Sequence, residues 1–215
     1  MGRPVRTEVS ESSLKLIGIP TKFLHTKLSE FETKDSDSLE AVKDFVTDYI
    51  LDLDENFEKN AGIFFNGSNG VGKTMLSSII LRAAYKKRYT ARRCTFVEYI
   101  DKYTAEWSAK TSEEKEEASD RLYTYYKSVE FLVLEEIGKE VDSKVSAPIL
   151  EDLLRYREDH GLPTIICTNL NVSTLREKYG NSCMSLLQGN MTPVTIESKD
   201  VRSKSFKKRL KKVSK

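Results

Sequence analysis

The sequence predicts an α/β domain with a mainly parallel sheet of five strands flanked by helices. Short apolar runs alternate along the chain with stretches of helical periodicity, and a glycine-rich segment directly follows the first run. Such alternation is typical of units in which a helix crosses over the sheet and returns the chain to a parallel strand. The predicted strands are Ile63–Phe65, Thr95–Val97, Phe131–Leu134, Thr164–Cys167 and Val194–Ile196.

Helical patterns precede and separate these strands. Apolar residues between Leu39 and Ile50 recur at steps of three and four, which predicts an amphipathic helix ahead of the sheet. Residues 16–31 mix apolar positions with a proline and are predicted to form a structured lead-in, whereas the polar residues 1–15 are predicted to be loose. The remaining predicted helices are Lys73–Lys87, Ile100–Trp107 with a second piece to Lys127, Ala147–Asp159 and Val172–Lys178.

Composition narrows the class of protein. With 39% hydrophobic and 32% charged residues the chain can build a core and is expected to be soluble, and no apolar run approaches the about 18 residues that cross a bilayer. The first residues lack the apolar segment of a secretory signal. Cys94, Cys167 and Cys183 show no paired spacing, so we expect reduced thiols rather than a zinc site. These features predict a cytoplasmic protein with no membrane partner.

The glycine-rich segment fits the pattern G-x-x-x-x-G-K-[ST] of a phosphate-binding loop, or P-loop. Its glycines allow consecutive backbone N–H groups to curl around a phosphate, at the positive end of the helix that follows. Lys73 is suited to contact the β- and γ-phosphates, and the Thr74 hydroxyl to hold Mg²⁺. A glycine-rich turn beside an unrelated lysine is the simpler alternative. The predicted nucleotide-binding residues are Gly67, Ser68, Asn69, Gly70, Val71, Gly72, Lys73 and Thr74.

Two carboxylates follow the third predicted strand, as in a Walker B element. Glu135 would hold Mg²⁺, and Glu136 would orient or deprotonate the attacking water. The first position is usually Asp, and the extra methylene of Glu135 displaces the metal contact, so inefficient hydrolysis is expected. A strand that runs into an acidic surface pair is the alternative.

The fourth predicted strand ends in Thr168 and Asn169. If this strand lies between the P-loop strand and the Walker B strand, Asn169 would lie near the γ-phosphate, where its amide could position water. Strands also end in Thr-Asn because these residues favour turns.

The order of these motifs resembles AAA+ ATPases of the DnaC/IstB group. The resemblance implies an AAA+ ATPase domain over residues 16–198 that binds ATP and Mg²⁺, with Asn169 as sensor 1 and Arg202 as the sensor 2 arginine. It further implies a loader of a hexameric replicative helicase onto single-stranded DNA, possible homo-oligomer formation, or an ATPase helper of a transposase. The segments that carry the resemblance are IGIPTKFL, GIFFNGSNGVGKTML, FLVLEEIG, LLRYREDHGLPTIICTNL, LREKYG and VRSKSF.

Two departures from this group affect the expected activity. Loaders of the DnaC type carry an extra helicase-gripping domain, whereas about fifteen residues precede the resemblance here, which is compatible with a phage-encoded loader. The segment in which the group places an arginine finger reads NSCMSLLQ and contains no arginine. Because such an arginine can contribute about 10³-fold or more in turnover, slow hydrolysis is expected. The candidate substitutes, which are otherwise ordinary surface arginines, are Arg155, Arg157 and Arg176.

The charge of the chain is unevenly distributed. Residues 199–215 hold nine Lys or Arg and one Asp, so this basic tail carries +8 while the rest carries −6. Such a tail, with Lys139 and Lys144, could contact the phosphates of single-stranded DNA, or it could be a solvated segment. Tyr123, Tyr125 and Tyr126 could stack on bases, although packing within the protein is the simpler interpretation.

Three alternatives to a helicase loader remain open at this stage. A transposase helper would bind duplex DNA and would have no helicase partner. An ATP-gated binding module would lack significant turnover. A small-molecule kinase would need an arginine-bearing lid, and the acidic, tyrosine-rich region between the second and third predicted strands disfavours one.

Overall fold

A computed structural model of the chain describes residues 3–33, 36–140 and 143–197. Its centre is a five-stranded sheet with the order β2-β3-β4-β1-β5, in which every neighbouring pair is parallel. The predicted five-stranded α/β architecture is therefore confirmed. The strands are β1 (Gly62–Asn66), β2 (Ala91–Thr95), β3 (Phe131–Ile137), β4 (Thr164–Thr168) and β5 (Met191–Thr195).

Helices cover both faces of the sheet. They are α1 (Glu11–Leu16), α2 (Asp37–Leu51), α3 (Leu53–Glu58), α4 (Lys73–Lys86), α5 (Phe96–Thr104), α6 (Ser112–Leu122), α7 (Ser143–Asp159) and α8 (Val172–Asn190). Short 3₁₀ turns cover Thr21–Phe23, Leu28–Glu30 and Ala105–Ser108, and a π-helical turn covers Tyr123–Lys127. Within the described ranges, none of these helices has the length and apolar character needed to cross a membrane.

The core consists of two apolar clusters, one on each face of the sheet. Successive residues of β3 alternate between them: Phe131 and Val133 belong to the cluster under α2 and α4, and Leu132 and Leu134 to the cluster under α5, α7 and α8. All four side chains are completely buried. Since both faces are covered, the central strands appear in the sequence as continuous apolar runs rather than as alternating ones.

The second strand lies earlier in the chain than predicted. Thr95 ends β2 and also caps α5: its hydroxyl accepts from the Glu98 N–H, and the Glu98 carboxylate accepts from the Thr95 N–H. This capping box starts a helix at Phe96, so the predicted strand Thr95–Val97 is wrong beyond its first residue. The true strand, ARRCT, lies at the edge of the sheet and lacks the apolar run used for prediction.

Both ends of the domain also differ from prediction. Helix α1 begins within the segment expected to be loose, because the Ser10 hydroxyl accepts from the Ser13 N–H and Leu14 is buried. Helix α8 extends twelve residues beyond Lys178, past a break at Gly180, where φ is 80°. The last strand consequently begins at Met191 rather than at Val194. The domain boundaries at residues 15 and 198 stay predictions.

The lead-in, residues 16–31, is attached to the sheet and to α4. The Arg93 N–H of β2 donates to the Ile17 carbonyl at 2.7 Å, and a Cβ at Gly18 would lie 2.1 Å from the Arg93 carbonyl oxygen. Only glycine fits such a close approach, which also requires a φ of +94°. From α4, Arg82 donates to the carbonyls of Phe23, Leu24 and Thr26. These contacts place the lead-in against β2 and α4.

Candidate nucleotide-binding site

The loop between β1 and α4 has the backbone shape of a phosphate-binding loop. Gly70 and Gly72 have φ of 83° and 111°, a region that side chains with a Cβ rarely adopt. Gly72 immediately precedes α4, and a Cβ at this position would lie 2.8 Å from the Phe31 ring. The first N–H groups of α4 therefore open toward the loop at the positive end of the helix dipole.

Lys73, the first residue of α4, lies along the loop. Its ammonium donates to the carbonyls of Gly67 and Ser68 at 2.6 and 2.8 Å. These contacts hold a positive charge at the mouth of the loop, where phosphate oxygens would replace or join the carbonyls as partners.

Glu135 at the end of β3 is joined to α4. Its Oε2 accepts from the Thr74 hydroxyl at 2.7 Å and its Oε1 from the Ser77 hydroxyl at 2.8 Å, and only 3% of the residue is exposed. The metal-binding residues predicted from the sequence thus lie in contact. Ser77 is an addition, and its position about one turn after Thr74 on the same helix is the sequence signal for it.

The donor set at Thr74 and Glu135 fits Mg²⁺. Both residues offer oxygen atoms, which Mg²⁺ prefers, and this ion is usually held by one or two protein side chains together with substrate phosphates. Across residues 3–33, 36–140 and 143–197, no cluster of three or more His, Cys, Asp or Glu side chains offers a separate metal site.

Glu136 departs from the regular strand. Its φ is 62°, and the pairing of β3 with β4 shifts register between Glu135 and Ile137. This irregularity leaves the Glu136 side chain exposed beside the loop, where its Oε1 accepts from Lys139 at 2.6 Å. A left-handed conformation at a non-glycine residue costs free energy and is often found at functional sites.

Helix α8 anchors the segment that follows β3. Lys178 donates to the carbonyls of Gly138 and Glu140 at 2.9 and 2.7 Å, and the buried Glu140 carboxylate accepts from the Tyr179 hydroxyl. Because these contacts immediately flank Lys139, the position of its pair with Glu136 is tied to α8.

Asn169 lies in the same cavity as the carboxylates. Strand β4 is inserted between β1 and β3, as the sequence interpretation required. The preceding Thr168 donates to the Ile137 carbonyl at 2.9 Å, and Asn66 of β1 donates to the Leu170 carbonyl. The ends of three neighbouring strands are thus linked around the site.

A cavity of about 540 Å³ joins these elements. This volume is in the range of pockets that hold small molecules and cofactors. The lead-in forms one wall, a role that no local sequence pattern indicates, since the contact depends on how the chain folds back over α4. The cavity residues from the lead-in and its continuation are Pro20, Lys22, Phe23, Glu30, Phe31 and Glu32.

Arg93 is a further cavity residue that the sequence did not identify. It lies on β2, its Nε is 3.5 Å from Glu135 Oε1, and its Nη1 donates to the Gly18 carbonyl at 3.3 Å. An arginine in an edge strand normally predicts surface exposure, and only the burial of this strand under the lead-in reveals the contact.

The three arginines considered as substitutes for an arginine finger are not among the residues that line the cavity. Arg157 is 1% exposed, and its guanidinium donates to four backbone carbonyls and to the Thr164 hydroxyl. Burial lowers the pKa of Arg157 to about 9, so it remains a cation at neutral pH. It is a structural residue, and its assignment as a possible finger is wrong. Arg155 and Arg176 are exposed, and Arg155 pairs with Glu151 of its own helix.

The tyrosines predicted to contact DNA differ in their exposure, and the basic tail and Arg202 are not among the described residues. Tyr126 is buried against Tyr99 and Arg92, which is incompatible with stacking on a base, whereas Tyr123 and Tyr125 are more than half exposed. Arg202 and the basic tail, residues 199–215, lie outside the described residues, so their proposed roles remain predictions.

Comparison with known proteins supports the resemblance. No protein-family model matches the chain. The replicative helicase loader DnaI of Bacillus subtilis (strain 168) is 25% identical over 170 residues, which are 79% of this chain and 52% of the relative. An ATP-binding protein of the insertion sequence IS232 from Bacillus thuringiensis subsp. berliner is 29% identical over 182 residues, 81% of this chain and 66% of the relative. The chain thus spans about half to two thirds of the length of these relatives.

Solved structures share the fold. The DnaC helicase loader superposes with a TM-score of 0.65 at 21% identity, covering 83% of this chain and all of that chain. AMPPCP-bound DnaA from Aquifex aeolicus gives 0.64 at 20% identity, covering 91% of this chain and 56% of that chain. The chain has the AAA+ P-loop fold, and its resemblance to proteins of the DnaC/IstB type is confirmed.

Proposed function

We propose that this protein is an ATP-binding AAA+ protein that loads a hexameric replicative DNA helicase onto single-stranded DNA and hydrolyses ATP slowly. The observation that carries the proposal is the meeting of the P-loop, the paired carboxylates and Asn169 around one cavity. The similarity to a replicative helicase loader supports the choice of partner.

The chain's own residues account for nucleotide binding. Backbone N–H groups at the start of α4 and the Lys73 ammonium would hold the phosphates, and the wall formed by the lead-in would enclose the base and ribose. Thr74 and Glu135 would hold Mg²⁺, which would offset the phosphate charge when bound.

Slow hydrolysis follows from the surroundings of Glu136. Lys139 contacts Oε1 of this carboxylate, so only Oε2 is open to orient water. In the described chain, no arginine occurs in the part of α8 that reads NSCMSLLQ, so a second cation for the transition state is missing there. Both features favour a protein that remains in its ATP-bound form long enough to act on a partner.

A transposase helper is the second candidate. The chain matches the insertion-sequence protein at slightly higher identity than the helicase loader, and it spans a larger share of that relative. Fold and nucleotide site are equally compatible with either role, so the preferred DNA structure and the protein partner separate them.

DNA preference tests the choice between these functions. We expect the full chain with ATP and Mg²⁺ to bind a single-stranded oligonucleotide more tightly than the matching duplex, measured by fluorescence anisotropy. Because the body is net negative and the basic tail would release counterions from phosphates, affinity should fall steeply as salt rises. A chain that ends at Ser203 should bind more weakly. Tighter binding to duplex would favour the transposase helper. Equal affinity of the full chain and the chain that ends at Ser203 would show that the tail does not contact DNA.

A further inference from the structure

The contact between Arg93 and Glu135 places a protein cation at the candidate metal-binding carboxylate. Arg93 comes from β2 and Glu135 from the neighbouring β3, with 3.5 Å between Nε and Oε1. No step of nucleotide binding or water activation described above requires this arginine.

The two oxygens of Glu135 have different partners. Oε2 accepts from the Thr74 hydroxyl, on the side of the P-loop, whereas Oε1 accepts from Ser77 and faces Arg93. A glutamate side chain is long enough for Oε2 to reach Thr74 while Oε1 lies near Ser77 and Arg93. This reach gives a physical reason for Glu rather than Asp at this position.

Burial makes the charge of Arg93 effective at short range. Its side chain is 15% exposed and that of Glu135 is 4% exposed, so water screens the pair weakly. The Arg93 Nε has no hydrogen-bond partner in the described part of the chain. Contacts to Ile17 and Gly18 hold the residue in place from the lead-in, which limits its retreat from the site.

We propose that Arg93 competes with Mg²⁺ for Glu135 and thereby raises the Mg²⁺ concentration that nucleotide binding requires. This inference rests on the proposed ATP-binding function. A divalent cation beside Thr74 meets a carboxylate that the guanidinium already neutralises, and the two cations repel each other in a poorly solvated site. Arg93 itself supplies part of the positive charge at the site, so nucleotide binding in the absence of Mg²⁺ depends on it.

The test is a Mg²⁺ titration of the binding of a fluorescent ATP analogue to the full chain. We expect Arg93→Gln to lower the half-saturating Mg²⁺ concentration about tenfold, because one buried like charge is removed. With Mg²⁺ chelated, the same variant should bind the analogue more weakly than the unmodified chain. Arg93→Lys keeps the charge and should keep the original Mg²⁺ requirement.

Matched variants separate charge from folding. Arg92→Gln is the control, because Arg92 is adjacent on β2 and also contacts the lead-in, through the Leu16 carbonyl, but does not line the cavity. In a Glu135→Gln background, Arg93→Gln should change the Mg²⁺ requirement less, because the competition for the carboxylate is gone and only the repulsion between the two cations remains. Arg93→Met, of similar length, replaces the glutamine variant if thermal unfolding shows that the latter does not fold.

The possible results of this titration distinguish failure of the inference from failure of the proposed function. A normal Mg²⁺ requirement in both Arg93→Gln and Arg93→Met, in chains that bind the analogue, would overturn this inference alone. A tenfold shift of the Mg²⁺ requirement in Arg93→Lys as well would show that packing rather than charge causes the effect. That result would also overturn the inference. Failure of the unmodified chain to bind the analogue at any Mg²⁺ concentration would overturn the proposed function and this inference with it.

Discussion

Replacing Lys73 by alanine is expected to weaken ATP binding at least tenfold. The ammonium is held at the mouth of the P-loop by the carbonyls of Gly67 and Ser68, and it is the loop's own cation for the phosphates. Its removal takes away charge-assisted hydrogen bonds to the phosphates, which are roughly twice as strong as neutral ones. Isothermal titration with ATP and Mg²⁺ measures the change.

Lys86→Ala provides the control for this experiment. Lys86 is exposed at the other end of α4, so its removal alters the charge of the same helix without touching the loop. Affinity should stay unchanged in this variant. Equal affinities for Lys73→Ala and the unmodified chain, with both folded by thermal unfolding, would contradict the assignment of the loop.

Glu136→Gln is expected to lower the slow ATPase rate by a factor of about 10² while nucleotide affinity changes little. Glutamine keeps the shape of the side chain but cannot accept a proton from water, and general-base contributions are of the order of 10²–10⁴. The left-handed backbone at Glu136 is unchanged by this substitution, so a folding effect is not expected. Phosphate release under single-turnover conditions measures the rate.

Glu116→Gln, on the exposed face of α6, removes the same charge far from the cavity and should leave the rate intact. An unaltered rate in Glu136→Gln would show that Glu136 is not the water-orienting carboxylate. Fast turnover of the unmodified chain would instead show that an unidentified arginine finger completes the site.

Local spacing was sufficient to predict which residues meet at the centre of the candidate site. The P-loop pattern and the strand before it locate Lys73 and Thr74, and the acidic pair after an apolar run locates Glu135. These features depend on residues close together in sequence, and parallel strand topology then brings their ends to one edge of the sheet. The sequence interpretation of Asn169 needed one further assumption, the insertion of β4 beside β1, and the observed strand order satisfies it.

The parts that could not be predicted depend on contacts distant in sequence. Arg93 reaches Glu135 because the lead-in covers an edge strand, and the lead-in itself becomes a wall of the cavity. Arg157 resembled a surface arginine, yet it is buried where carbonyls from two chain segments converge. At β2 the apolar pair that follows Thr95 suggested a strand, but the capping box with Glu98 overrode that local preference.

The most direct test of the account is capture of the helicase by the full chain from a lysate of the source organism. The immobilised protein is compared with its Lys73→Ala variant, each with and without ATP and Mg²⁺, and captured proteins are identified by mass spectrometry. We predict that the hexameric replicative helicase is retained by the unmodified chain in the presence of ATP and lost in the Lys73→Ala sample. Retention of a transposase in its place, or no helicase in any ATP sample, would contradict the loader function.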